Sequence, residues 1–161
     1  MPATGFFEWQ VLADGKTKQP YYITLNGQDI FGFAALWDSS KRDDGVTVES
    51  CTIVTMPANA LMTVIHNVKH RMPAILTKED RHAWLTTTPD DALTLLKQYP
   101  DTHMVATPVS KRVNTPKNND AELTHPPGLP EQSTEPESGF AVTSRVDKTS
   151  RHHSRRCCSR D

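Results

Sequence analysis

Apolar positions recur along this chain with two periods, and the change from one to the other divides it. Residues 6–12 are apolar and aromatic and run into an Asp14-Gly15 turn. Tyr21, Ile23 and Leu25 then alternate with Tyr22 and Thr24, the period of two that a half-buried strand requires. Asn26-Gly27 follows, a strong short hairpin signal. Residues 30–37 are a continuous apolar run, suited to a strand buried on both faces. A turn cluster at residues 39–45 leads into the β-branched stretch 46–56, so this part reads as an antiparallel meander.

Beyond it the period lengthens. Asn59 is placed to cap a helix with Leu61, Met62 and Ile65 on one face and His66 at its end. Residues 71–76 read as a short strand. Thr77-Lys78-Glu79-Asp80 opens a second helix carrying Ala83, Trp84 and Leu85. Thr88-Pro89-Asp90-Asp91 opens a third, with Leu93, Leu95 and Leu96 on its buried side. Residues 105–113 predict a last strand, placed at a sheet edge because Pro108 cannot donate to a ladder. After Thr124 apolar residues nearly vanish. The expected fold is α+β, a mainly antiparallel, barrel-like sheet with short helices over residues 1–124, followed by a disordered basic and polar tail over 125–161.

Composition narrows the function classes. The 161 residues are only 36% hydrophobic, which is enough for one modest domain. A net charge of −1 gives no whole-molecule attraction to polyanions, so any nucleic-acid contact must use a local patch. No apolar run is long enough to cross a membrane as a helix, and the N-terminal residues carry no signal-peptide pattern. Three cysteines, Cys51, Cys157 and Cys158, do not make a secreted disulfide framework. The expected setting is cytoplasmic and reducing, and the expected state a monomer.

Several residues can carry chemistry. Glu8 lies between Phe7 and Trp9 and is either a solvent-face carboxylate or one held in a dry pocket for proton transfer. His66 is either a helix cap or a general acid/base. His70, four residues on, would share its face only on an unbroken helix, and no third ligand has metal-site spacing, so neither metal nor cofactor is expected. Lys69, Arg71, Lys111, Arg112 and Lys117, with Asn114, Asn118 and Asn119, either line one groove or are solvated. Trp37 and Trp84 read as core, as does Cys51, while Trp9 adjoins Glu8 and is a candidate for base stacking.

The order of these residues is more specific than any one of them. Gly5-Phe6-Phe7-Glu8-Trp9, Lys18-Gln19-Pro20-Tyr21-Tyr22-Ile23, Phe33-Ala34-Ala35-Leu36-Trp37, Cys51-Thr52-Ile53-Val54-Thr55, Ala58-Asn59, Ile65-His66-Asn67, Arg71-Met72-Pro73-Ala74-Ile75-Leu76 and the Pro108 to Asn114 block resemble, in succession, the SOS response-associated peptidase family. The resemblance spans residues 2–123. It implies a protein that senses abasic sites in single-stranded DNA and captures the ring-opened aldehyde. The captor is an N-terminal cysteine, whose amine and thiol close a thiazolidine and leave a protective DNA–protein crosslink. It also implies self-processing that frees this cysteine. By motif position Glu8 and His66 are the implied proton-transfer groups, and Trp9, Thr55 and Arg71 the implied DNA contacts.

The family opens Met-Cys-Gly-Arg and later carries an asparagine–alanine–arginine block, and this sequence has neither. The resemblance therefore carries the expectation of the C-terminal part of such a domain, with the nucleophile and the N-terminal part missing. Two other readings stand beside it. One is a non-catalytic single-stranded DNA-binding remnant using Trp9, Arg71 and the C-terminal basic residues. The other is a zinc-binding interaction tail around His152, His153, Cys157 and Cys158.

Overall fold

A computed structural model describes residues 1–128. The disordered tail and the tail zinc site expected above lie outside these residues, except for positions 125–128. Among the described residues the chain is α+β with antiparallel strands and short helices, as the patterning predicts. Strand β1 is Pro2–Ala3, β2 Phe6–Val11, β3 Lys18–Leu25, β4 Phe31–Phe33, β5 Ala35–Lys41, β6 Thr47–Ile53 and β7 Thr55–Pro57. Helix α1 is Ala60–Ile65, followed by β8 Arg71–Pro73, β9 Ile75–Leu76, α2 Asp80–Thr86, α3 Pro89–Thr94 and β10 Met104–Pro108. The strands are ordered β1-β4-β9, β10-β3-β2, β5-β6 and β7-β8.

The β2–β3 hairpin keeps the predicted alternation, with Ile23 and Leu25 buried and Glu8 opposite Tyr21. Gly5 precedes it because the Tyr22 ring occupies the space of any Cβ at that position. The Asn26-Gly27 turn forms, and Leu25 bridges Gln28, but no β3–β4 hairpin follows. The second edge of β3 is already taken by β10, which pairs from Met104–Leu25 to Pro108–Tyr21, so β4 joins β1 and β9 instead. The expected continuous meander is thus broken here. β10 lies at an edge as Pro108 requires, but it ends there, and Lys111–Asn114 is a 3-10 turn capped by Ser110.

Three of the predicted strands split, and for a common reason. Ala34, Val54 and Ala74 each separate two strands, and their backbones close a ring. The Ala34 N–H donates to the Ala74 carbonyl at 2.8 Å, Ala74 to Val54 at 2.9 Å, and Val54 to Ala34 at 2.9 Å. Each run changes partner at this hub; β5 and β6 leave the core there, whereas Met72 before Ala74 and Ile75 and Leu76 after it all stay buried. Small residues let the three backbones meet; Ala34 and Ala74 are buried, and Trp84 of α2 and Leu96 after α3 pack over them.

The hub corrects several expectations. Residues 30–37 are not one strand buried on both faces: Phe31 and Phe33 are core, whereas Ile30, Leu36 and Trp37 are exposed. β5 extends to Lys41, leaving a shorter turn than residues 39–45, and among the described residues it pairs only with β6, as a two-stranded ribbon with most of its side chains exposed. Cys51 faces Trp37 there and is exposed rather than core. Leu85 and Leu93 are also exposed, because Trp84 and Leu96 supply the contacts of their helices.

The main core joins Ile23, Leu25, Phe31, Phe33, Met62, Ile65, Met72, Ile75, Tyr99 and Met104. Asn59 anchors α1 to it. Its Oδ1 accepts from the Met62 N–H at 2.9 Å, the cap expected from the sequence, and its Nδ2 donates to the Tyr99 carbonyl at 2.7 Å. Thr88 likewise caps α3 by accepting from the Asp91 N–H.

Candidate active site and nucleic-acid groove

The end of α1 and the free edge of β2 bring the two proton-transfer candidates together. Glu8 Oε1 lies 3.7 Å from His66 Nδ1, with the two side chains 20% and 23% exposed. Sequence separation gave no hint of the distance; the fold supplies it by laying α1 along β2. His66 Nδ1 is also 2.9 Å from the Arg71 carbonyl. That oxygen can only accept, so Nδ1 carries a proton and Nε2 is left as the basic nitrogen of the neutral ring. Glu8 is thereby an electrostatic neighbour of the imidazole rather than its hydrogen-bond acceptor.

Burial pushes the Glu8 carboxyl above its ordinary value, and the His66 charge and the Trp9 backbone N–H pull it partly back. The direction suits a group that releases and regains a proton nearer neutrality. Both residues open into a cleft of about 310 Å³ that is also lined by Trp9, Lys18, Lys69 and Arg71. Among the described residues none of these three cations forms an ion pair.

The other candidates divide. The Trp9 indole N–H donates to Asn114 Oδ1 at 2.7 Å, which fixes the ring and uses the acceptor of Asn114 rather than its N–H donors. Thr55 does not line the cleft. It is exposed on β7 two positions from Pro57, the partner of Arg71, so strand alternation puts Thr55 and Arg71 on one face. Arg112 belongs to no free groove: it pairs with Asp120 and Glu122, and Asn118 is spent on its backbone carbonyl. His70 does not join His66 as a ligand pair, because the helix ends at Ile65 and His70 turns the chain with a left-handed φ of 49°. No cluster of three or more metal-ligating groups occurs among the described residues.

Two residues at or beside the cleft, one lining it and one bonded to its wall, escaped the sequence reading. Lys18 was visible only as part of a motif block, yet pairing the hairpin about Asp14-Gly15 puts it opposite Val11 and hence beside the cleft. Asn67 had no signal beyond its place after His66.

The family model for SOS response-associated peptidase (SRAP) matches residues 1–116. The chain belongs to the SRAP family. Among curated relatives, abasic site processing protein YoqW of Bacillus subtilis is 43% identical over 126 residues, covering 76% of this chain and 54% of the relative. Abasic site processing protein YedK of Escherichia coli is 33% identical over 129 residues, covering 77% and 55%. A crystal structure of a Bacteroides thetaiotaomicron protein superposes with a TM-score of 0.72 at 34% identity, covering 78% of this chain and 55% of that one. The SRAP chain described here thus spans about half the length of the curated relatives it matches. No helix among its described residues is long and apolar enough to cross a membrane.

Proposed function

We propose that this chain supplies the proton-transfer pair and part of the single-stranded DNA groove of an abasic-site-processing site, in the response to DNA damage. The observation that carries this reading is the placement of Glu8 3.7 Å from His66 in a cleft ringed by Lys18, Lys69 and Arg71. An abasic sugar rests mainly as a closed hemiacetal. Opening it removes a proton from the anomeric hydroxyl and returns one to the ring oxygen, which needs a base and an acid side by side. His66 Nε2 is the base, and Glu8, its carboxyl raised by burial, is the acid. The cations hold the flanking phosphates, and Trp9 offers a face to a base. Thr55 and Arg71 extend the strand-binding surface along β7 and β8.

Capture of the aldehyde by an N-terminal cysteine joins its amine to the carbonyl carbon with loss of water; the thiol then adds to the imine and closes the thiazolidine. Cys51 is internal to a strand and has no free α-amine, and Cys157 and Cys158 are internal to the sequence. The crosslinking and self-processing steps therefore need an N-terminal cysteine that this sequence does not contain.

The test is an abasic single-stranded oligonucleotide mixed with this chain, alone and joined to the remaining N-terminal length of the Bacillus subtilis relative. An SDS-stable adduct is expected only from the joined form. The second reading, binding without covalent chemistry, is favoured by the three cleft cations, which form no ion pair among the described residues, and predicts salt-sensitive binding with no adduct in either form. An adduct from this chain alone would overturn the proposed division of labour, and the absence of both adduct and binding would overturn both readings.

A further inference from the structure

We propose that Asn67 is a positioning residue for the Glu8–His66 pair, its carboxamide standing in for a neighbouring strand at the free edge of β2. The Val11 N–H donates to Asn67 Oδ1 at 3.0 Å, and Asn67 Nδ2 donates to the Val11 carbonyl at 2.8 Å. A carboxamide carries the same donor and acceptor as a peptide unit, so this two-point contact repeats the local geometry of an antiparallel ladder. Among the described residues β2 pairs with β3 alone, so without Asn67 neither outward group of Val11 has a strand partner there.

The levers on either side of this contact are short. Asn67 follows His66 directly, and Val11 is three residues from Glu8 on the same strand. The other links between α1 and β2 are weaker. Gln10 Nε2 reaches the Val64 carbonyl at 3.2 Å, a single bond from a side chain with more rotatable bonds. Asn59 fixes the opposite end of α1, against Tyr99 and Met104, and does not touch β2. The turn after His66 is thus tied to the strand bearing Glu8 by Asn67, and the separation of the two side chains depends on that tie. Its meaning for catalysis rests on the function proposed above; its effect on the geometry does not.

The test is a carboxyl-detected NMR titration of Glu8 in the full chain, recorded with His66 and with His66→Gln, in wild type and in Asn67→Ala. The difference that His66 makes to the Glu8 titration measures the coupling of the pair, and the cleft cations Lys18, Lys69 and Arg71 are present in every arm. In wild type, removing the imidazole is expected to raise the Glu8 carboxyl, since His66 holds it down. In Asn67→Ala the loop drifts and water enters. A separation of about 7 Å cuts the coupling to roughly half or less, because the interaction falls with distance and with rising dielectric. Asn67→Asp keeps the acceptor for the Val11 N–H and loses the donor to its carbonyl, so it gives a second folded variant in which the coupling also falls.

A purely structural role lowers the melting temperature of Asn67→Ala and leaves the coupling at its wild-type size, which would overturn the proposal. A wild-type chain showing no coupling at all would overturn both this proposal and the site reading it deepens. Coupling that is present in wild type but persists in both variants overturns only the part played by Asn67.

Discussion

Replacing Asn59 with alanine tests how the sequence places His66. Asn59 is buried, and its side chain joins three elements: it caps α1 through the Met62 N–H, donates to the Tyr99 carbonyl, and lies 3.1 Å from Met104 Sδ. Alanine at an N-cap costs about 1 kcal/mol. The Tyr99 carbonyl then has no donor in a site closed to water, which adds about 1–3 kcal/mol for an unsatisfied buried group. The expected loss is about 2–4 kcal/mol, a large share of the stability of a small domain. In urea, with a slope of about 2 kcal/mol per molar, the midpoint should fall by about 1–2 M. Asn59→Ser keeps an oxygen for the cap while losing the reach to Tyr99, and should recover about 1 kcal/mol of the loss. Tryptophan fluorescence across a urea series measures all three proteins. A loss below about 1 kcal/mol for Asn59→Ala, or no difference between alanine and serine, would refute this account of how α1 is held.

Four further outcomes follow from the same geometry. Ala74→Val forces two methyl groups into the three-strand hub, and thermal melts should report a destabilisation of about 1–3 kcal/mol. His70→Gly relieves a left-handed backbone, so it should leave the melting temperature unchanged or raise stability by up to about 1 kcal/mol; a loss would show that the ring contributes contacts. Because burial raises the Glu8 carboxyl, the folded chain holds that proton more tightly than the unfolded chain does. The stabilisation from the protonated form is complete below the ordinary value of 4.5 and is lost as pH rises through the folded value. Glu8→Gln should therefore match wild type at low pH and gain on it toward pH 7, by no more than about 1.4 kcal/mol per pH unit; a constant offset in urea midpoints would contradict this. Arg71→Ala should weaken single-stranded DNA binding and reduce the salt slope by about one charge, whereas Arg112→Ala, tied to Asp120 and Glu122, should leave the slope unchanged in anisotropy titrations.

Local signals were the legible part of this fold. The caps at Asn59 and Thr88, the β2–β3 alternation and the edge position imposed by Pro108 each depend on a few adjacent residues, and each appears where its chemistry requires. The hub was not legible. Ala34, Val54 and Ala74 read as ordinary members of apolar runs, and only a hydrogen-bonded ring across 40 residues reveals that the runs change partners there. For that reason Leu36, Trp37 and Cys51 read as core when they are exposed. The candidate site shows the same division. Glu8 and His66 could be named from a motif, but their separation and the grip of Asn67 on Val11 come from tertiary packing of α1 against β2, and the proton on Nδ1 from the Arg71 carbonyl at the start of β8. Lys18 sits between these cases, recoverable by counting outward from the Asp14-Gly15 turn.

The central claim is that Glu8 and His66 move the protons that open and capture an abasic sugar. Its most direct test is the single-turnover rate of SDS-stable adduct formation on abasic single-stranded DNA, by this chain joined to the N-terminal length of the Bacillus subtilis relative. Glu8→Gln and His66→Gln are each expected to slow the adduct by about 10²-fold or more while leaving binding of undamaged single strands within about twofold. Rates that match wild type in both variants would contradict the claim.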